Sequence, residues 1–202
     1  MTLLYLYYNQ PVAIPFFEQL GYPNLPFNIL FVDDASAEPL VLNWPNATVL
    51  RIDEDIPWNM PAANNLALRF LYNKDPKARV LRTDIDHYFT ATDLLEISKI
   101  ELEHNNIVKF CRKTLKPHPN TYLANVSDIL EAGGYNEAFC GNYGYDDKEL
   151  MYRLTKKGFV MRLSSIKAIV NPKMGTKNLN KDTSVNKQKF ENIVNHDPQI
   201  LK

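Results

Sequence analysis

The stretch Val80-Leu-Arg-Thr-Asp-Ile-Asp-His-Tyr-Phe89 does most to limit how this chain folds. An apolar run over 78–81 reads as a buried strand, and it empties into two carboxylates, Asp84 and Asp86. At a strand period of two, these side chains leave on the same side and face one ligand. Two hard oxygen donors at the carboxyl end of a strand suit Mg²⁺ or Mn²⁺, cations that also bind diphosphate oxygens. A solvated turn with a helix cap gives the same Asp-x-Asp pattern, so the pair needs support from the rest of the chain.

That support begins with the order of elements. Residues 2–8 are apolar and tyrosine-rich, which favours a buried strand ending at Asn9-Gln10-Pro11. Val12, Phe16, Phe17 and Leu20 then recur at helical spacing up to Gly21. A second strand over 27–32 finishes on Asp33-Asp34-Ala35-Ser36, and a third over 48–52 runs into Asp53-Glu54-Asp55. Pro57 to Pro61 open a helix with proline near its first position, where the missing N–H costs little. After the central strand, Thr90-Ala-Thr-Asp93 caps a helix expected to reach about His104. Residues 107–111 make the next strand, and a basic, proline-containing loop follows over 113–119. A short helix starts at Ser127 and stops at Gly133-Gly134; another opens at Asp146-Asp147 and ends at Lys156-Lys157-Gly158. Residues 159–170 read as one or two strands, and 184–195 as a helix in a polar tail. Strands alternating with helices predict an α/β sandwich, a mostly parallel sheet flanked by helices. Residues 1–172 are expected to form one domain and 173–202 a basic tail.

Composition narrows the setting. A chain of 202 residues, 45% hydrophobic, buries one good core. Lys plus Arg equals Asp plus Glu at 23 each, so no global field draws it to nucleic acid or membrane. Cys111 and Cys140 lack metal-type spacing and read as cytosolic thiols. No apolar run approaches the roughly 20 residues that span a bilayer. Residues 1–9 carry no basic segment and read as a strand rather than a signal peptide. The expected location is cytoplasmic.

Four polar clusters fall at strand ends or loops: Asp33-Asp34, Asn59 with Asn65, Asp84 with Asp86, and Asp146-Asp147. In an open parallel sheet, ligands collect at the carboxyl ends of strands. Each cluster also has a plain structural account: an Asx turn for the first, an N-cap for Asn59, and favourable helix N-terminal charge for Asp146 and Asp147.

Together the clusters resemble a known family. Val32-Asp33-Asp34-Ala35-Ser36 is similar to the Val-Asp-Asp-Gly-Ser motif of GT-A glycosyltransferases, the fold of glycosyltransferase family 2. Trp58-Asn59-x-Pro61-Ala-Ala-Asn-Asn65 is similar to the segment in which Ala-Arg-Asn opens a helix beside the nucleotide. Asp84-Ile85-Asp86 matches the Asp-x-Asp. The stretch from Gly133-Gly134-Tyr135-Asn136-Glu137 through Gly144-Tyr145-Asp146-Asp147-x-Glu149-Leu150-x-x-Arg153 resembles the family's Gly-Gly-Phe-Asp-Glu…Glu-Asp-x-Asp-Leu-x-x-Arg run and the galactosyltransferase-type C-terminal motif.

The resemblance implies a GT-A, Rossmann-like fold and a metal-dependent, inverting hexosyl transfer from a nucleotide sugar, expected to be a UDP-sugar. Asp33, with Asp34, would hold uracil and ribose, joined by Tyr8, Asn59 and Asn65. Asp84 and Asp86 would hold Mn²⁺ or Mg²⁺, with Asp86 the direct ligand. Asp147 would take the proton from the acceptor hydroxyl, with Asp146 beside it. Tyr143, Tyr145 and Trp58 would stack on sugar or base. The acceptor stays open: a saccharide, a protein, a small molecule or a modified nucleic-acid base.

The sequence also departs from the pattern. Asn64 stands where the family has Arg, and Asp146 where it often has Glu. Many members carry a third metal ligand, a His after the last strand; here Asn171, His118, His196 or none would serve. A lone His such as His87 reads first as a surface residue. Lysines 173, 177, 181, 187 and 189 suggest either a solvated end or a lid over the diphosphate. Two other classes fit part of the pattern: a non-catalytic sugar-nucleotide-binding module, and a nucleotidyltransferase, whose Gly-rich basic loop is missing at residues 7–11.

Overall fold

The computed structural model describes residues 1–112, 117–174 and 180–197. The chain runs β1 (Thr2–Tyr7), α1 (Ala13–Gln19), β2 (Asn28–Asp34), β3 (Ala47–Ile52), α2 (Met60–Lys74), β4 (Arg79–Arg82) and β5 (His87–Tyr88). It continues with α3 (Ala91–Ser98), β6 (Asn106–Cys111), β7 (Pro117–Asn125), α4 (Val126–Glu131), α5 (Asp146–Lys156), β8 (Val160–Lys167), β9 (Ile169–Val170) and α6 (Ser184–Asn195).

Seven strands form one sheet in the order β3-β2-β1-β4-β7-β6-β8, and β5 pairs with β9 in a separate ribbon. Strand β7 runs antiparallel to both of its neighbours, while the other pairings within the seven-stranded sheet are parallel; the β5–β9 ribbon is antiparallel. This is a mixed, mostly parallel α/β sandwich, the architecture that the order of elements predicts.

Alternation along the strands sorts the core onto two faces. Leu4, Leu30, Val32, Val80 and Ile107 face α2, α4 and α5, where Ala67, Leu68, Ile129, Leu150 and Leu154 meet them. Leu3, Tyr5, Ile29, Phe31, Leu81 and Phe110 point the other way, against Phe17 of α1 and Leu94 and Ile97 of α3. A residue on β1 therefore joins one layer or the other by its parity alone.

Two expectations need correction. The helix after Thr90 has its full capping box, Thr90 with Asp93, yet it ends at Ser98 and not near His104. Nor is 113–119 simply a loop: β7 starts at Pro117 and continues to Asn125. Prolines 117 and 119 hide this strand in the sequence; the β6–β7 register shifts between Lys109 and Cys111, opposite this proline-bearing end. Residues 113–116 lie outside the described residues.

Candidate functional site

A cleft of about 690 Å³ opens over the carboxyl ends of β1, β2 and β4, where the antiparallel β7 begins. That is a volume suited to a small-molecule ligand. The Asp-x-Asp lies at its floor, but not as an extended strand end. Backbone N–H of His87 donates to the Asp84 carbonyl at 2.9 Å, closing a tight turn over Asp84-Ile85-Asp86-His87. The turn, rather than strand alternation, brings the carboxylates together.

The same turn recruits His87, which corrects the surface reading: the side chain is fully buried. Asp84, Asp86 and His87 bring one ligand atom each to within 4.8 Å of one another. His87 Nδ1 stands 2.6 Å from Asp86 Oδ1 but off the hydrogen-bond direction, and neither ring nitrogen has an aligned partner among the described residues. A buried imidazole with idle nitrogens beside two carboxylates has the donor chemistry of a divalent-cation site. Asp84 is further fixed by the fully buried Arg82, whose Nη1 donates to it at 3.0 Å and whose Nε donates to Asn64 at 2.7 Å. Burial opposes ionisation of Asp84, but Arg82, His118 and His87 outweigh it and hold its carboxyl below the ordinary value. Asn64, which takes the place of the family's Arg, thus anchors an arginine supplied by β4.

The candidate third ligands separate clearly. His118 lines the cleft with Nε2 3.5 Å from Asp84 Oδ2 and its ring 4.7 Å from that of His87. Burial pulls it down to about 4. Asn171 lies beside the acidic turn, its backbone N–H donating to the Asp86 carbonyl at 2.8 Å while its Oδ1 accepts from the Lys173 backbone; His196 Nδ1 sits against the Asn192 carbonyl at the end of α6.

At one end of the cleft stand Tyr8, Asp34, Asp55 and Asn59. Asp33 does not share this wall. Its fully buried carboxylate accepts from Ser36 and Leu40 backbone N–H groups and from Arg51 Nη1 at 2.6 Å. Those bonds overcome burial and hold its pKa below the ordinary value. Of the pair, Asp34 is the carboxylate that lines the cleft. Asn59 Nδ2 donates to it at 2.9 Å instead of capping α2, and Asn59 Oδ1 is buried without a partner among the described residues. Burial, with Asp55 and Asp33 nearby, pushes Asp34 up to about 6 against the Asn59 hydrogen bond.

Asn65 is also withdrawn from the cleft. Its amide donates to the Tyr135 carbonyl and to Glu137, and its oxygen accepts from Tyr135 N–H at 2.7 Å. It ties α2 to the Gly133-Gly134 turn. The close approach requires glycine there: at Gly134 φ is +65°, and a Cβ would lie 2.5 Å from Asn65 Oδ1.

The opposite wall is built by residues 143–148. Tyr145 adopts left-handed φ +66° as the residue before α5, which places Asp146 and Asp147 in the first helical turn. Asp147 Oδ1 accepts from Lys148 N–H. Helix-dipole reasoning alone predicts a depressed carboxyl; here burial and the charge of Asp84 raise Asp147 above the ordinary value. Asp146 is nearly fully buried, and burial with the neighbouring Asp147 pushes it up to about 6. Trp58 lines the cleft as well, packs on Tyr143 with ring centroids 4.2 Å apart and donates its indole N–H to Asp146. Tyr143 and Tyr145 line the cleft.

The tail is not a loose end over its described part. Lys181 and Thr183 line the cleft, and α6 docks beside the glycine loop; Lys177 lies outside the described residues.

A scan of protein-family models finds no match, and no curated protein matches in sequence. Among solved structures, the chain is similar to that titled "Crystal structure of GalNAc-T7 with UDP, GalNAc and Mn2+", with a TM-score of 0.54 at 10% identity. The match covers 84% of this chain and 42% of that one, so this chain spans less than half of its structural relative. At that identity the likeness establishes the fold, which is GT-A-like.

Proposed function

We propose that this chain is a metal-dependent, inverting glycosyltransferase of the family 2 type. It would move a sugar from a nucleotide donor, a UDP-sugar, to an acceptor hydroxyl. The observation that carries this reading is one cleft with Asp84 and Asp86 on its floor, the buried His87 beside them, and Asp147 on its far wall. The relative of matching fold was solved with UDP, GalNAc and Mn²⁺, which supports the same donor and cation class.

In this reading Asp84, Asp86 and His87 hold Mn²⁺ or Mg²⁺, which supplies Lewis-acid neutralisation of a departing nucleoside diphosphate. Asp34, Tyr8 and Asn59 receive the nucleoside through hydrogen-bond acceptors left free at that end. Asp147 takes the acceptor proton; its raised pKa suits a base better than an ordinary surface carboxylate. Asp146, held by Trp58, positions the acceptor. Residues 1–172 are read as the catalytic domain and 173–202 as its basic tail.

A non-catalytic binding module is the reading favoured by an absent third ligand, and His87 supplies that donor atom. No described helix is long and apolar enough to cross a membrane, and a cytoplasmic setting belongs to the proposal. The deciding experiment is a nucleotide-sugar screen by thermal shift, with and without Mn²⁺. Stabilisation by UDP-sugars that needs Mn²⁺, followed by metal-dependent donor hydrolysis, is expected. Indifference to every nucleotide overturns the proposal.

A further inference from the structure

We infer that Asn186, on α6, is a positioning residue that sets the loop carrying Asp146 and Asp147. The inference rests on the reading of those carboxylates given above. Asn186 is fully buried, the one buried position among the described residues of α6. A helix docked only by the hydrophobic effect would bury an apolar side chain there. Instead a single amide group faces three backbone carbonyls: Phe139 at 3.0 Å, Asn142 at 2.6 Å and Gly144 at 2.9 Å. Two amide hydrogens shared among three acceptors draw those carbonyls toward one point.

The loop needs such an external partner. Gly141 and Gly144 have φ of +88° and +78°, and Tyr145 follows at +66°. A backbone turning through repeated left-handed positions cannot satisfy its carbonyls by helix or sheet ladders. Neighbouring contacts join α6 to the same unit. Lys189 Nζ donates to the Ala138 carbonyl at 2.6 Å, and the Phe190 ring lies against those of Tyr145 and Tyr152. Thr183 Cγ2 would stand 3.2 Å from a Cβ at Gly144, so the chain entering α6 lies close against the loop where it carries no side chain. From Gly144 the geometry passes through Tyr145 to Asp146 and Asp147, and from Tyr143 through its ring to Trp58.

The test uses the full chain labelled with 5-fluorotryptophan, because Trp44 and Trp58 are its two tryptophans. Trp58 touches the loop and Trp44 packs with Phe31 in the opposite layer, so one reports the loop and the other the fold. In Asn186→Ala the ¹⁹F resonance of Trp58 should move or broaden while that of Trp44 stays. Asn186→Asp, which sets a carboxylate against three carbonyl oxygens, should displace it further. Transfer kcat should fall on the order of 10- to 100-fold, with the donor KM changed less than about 2-fold, because the loop is misplaced and not lost. A Trp58 resonance unmoved in both variants overturns the inference, as does a Trp44 displacement equal to that of Trp58. If neither variant folds, Phe190→Leu must shift Trp58 alone, and failure to do so overturns it equally. A wild-type protein that transfers nothing defeats the proposed function, whereas the ¹⁹F result still decides the role of Asn186.

Discussion

The indole N–H of Trp58 donates to Asp146 Oδ1 at 3.0 Å, joining positions 88 residues apart across the mouth of the cleft. This bond stabilises the ionised carboxyl against burial and against Asp147. Trp58→Phe should therefore raise the Asp146 pKa above its value of about 6. The acid limb of the kcat/KM profile should move to higher pH. A pH profile superimposable on wild type would detach Asp146 from the chemistry.

Loss of the cation site should be selective. Asp86→Ala and His87→Ala are each expected to weaken Mn²⁺-dependent UDP binding at least about 10-fold, the scale of effects at metal sites. Calorimetry with and without Mn²⁺ reads this directly. His87→Ala matters most, since equal binding by that variant would remove the imidazole from the site.

Asp147→Asn keeps the size and the helix-start position while removing basicity. Transfer should fall by about two to four orders of magnitude with donor affinity retained. Asp146→Asn should cost less. Near-normal turnover by Asp147→Asn would place the base elsewhere.

Ala35 occupies a left-handed position, φ +57°, where the family motif has glycine. Ala35→Gly should relieve that strain, for a net gain of about 1 kcal/mol, or about 2 to 4 °C in Tm for a chain of this size. Differential scanning calorimetry measures it, and a lower Tm would contradict the strain assignment.

Lys109 is buried on β6 beneath the cleft, donating to the Pro119 carbonyl and 3.5 Å from Met151 Sδ. Burial pulls its pKa from 10.5 to about 7. Between those values the unfolded chain binds the proton and the folded chain does not, so stability rises with pH across that window. Lys109→Met should flatten the rise between pH 7 and about 9.5, below the range in which tyrosines ionise. Urea titrations at several pH values test the slope, and an unchanged slope would mean Lys109 stays charged.

Much of the sheet was readable because buried parallel strands print short apolar runs, as at 29–32, and because 107–111 is apolar but for Lys109. β7 was not, because its register break and two prolines erase the period that marks a strand. Asp84, Asp86 and Asp147 stand in the cleft, where their spacing suggested a ligand. Asp33 does not, since sequence cannot tell which of two adjacent carboxylates the pleat turns to the cleft, and Asn65, on helix α2, is spent on the Tyr135 backbone and Glu137. His87 reads as a surface histidine because nothing in its spacing shows the turn that buries it beside Asp86. A tight turn after a strand end is the local signal that could have included it.

Because β7 alone runs against the sheet, the β4–β7 ladder is a seam between two differently constrained halves of the molecule. On one side, β1 to β4 present their carboxyl ends in a fixed parallel array, with Asp34 and Asp84 at the tips. On the other, the wall comes from the start of β7 and from a loop braced by a separate helix. Mutational drift in the second half therefore leaves the register of the first untouched. Under the proposed function, substitutions on the β7 side would alter the choice of acceptor while the donor end of the cleft keeps its shape.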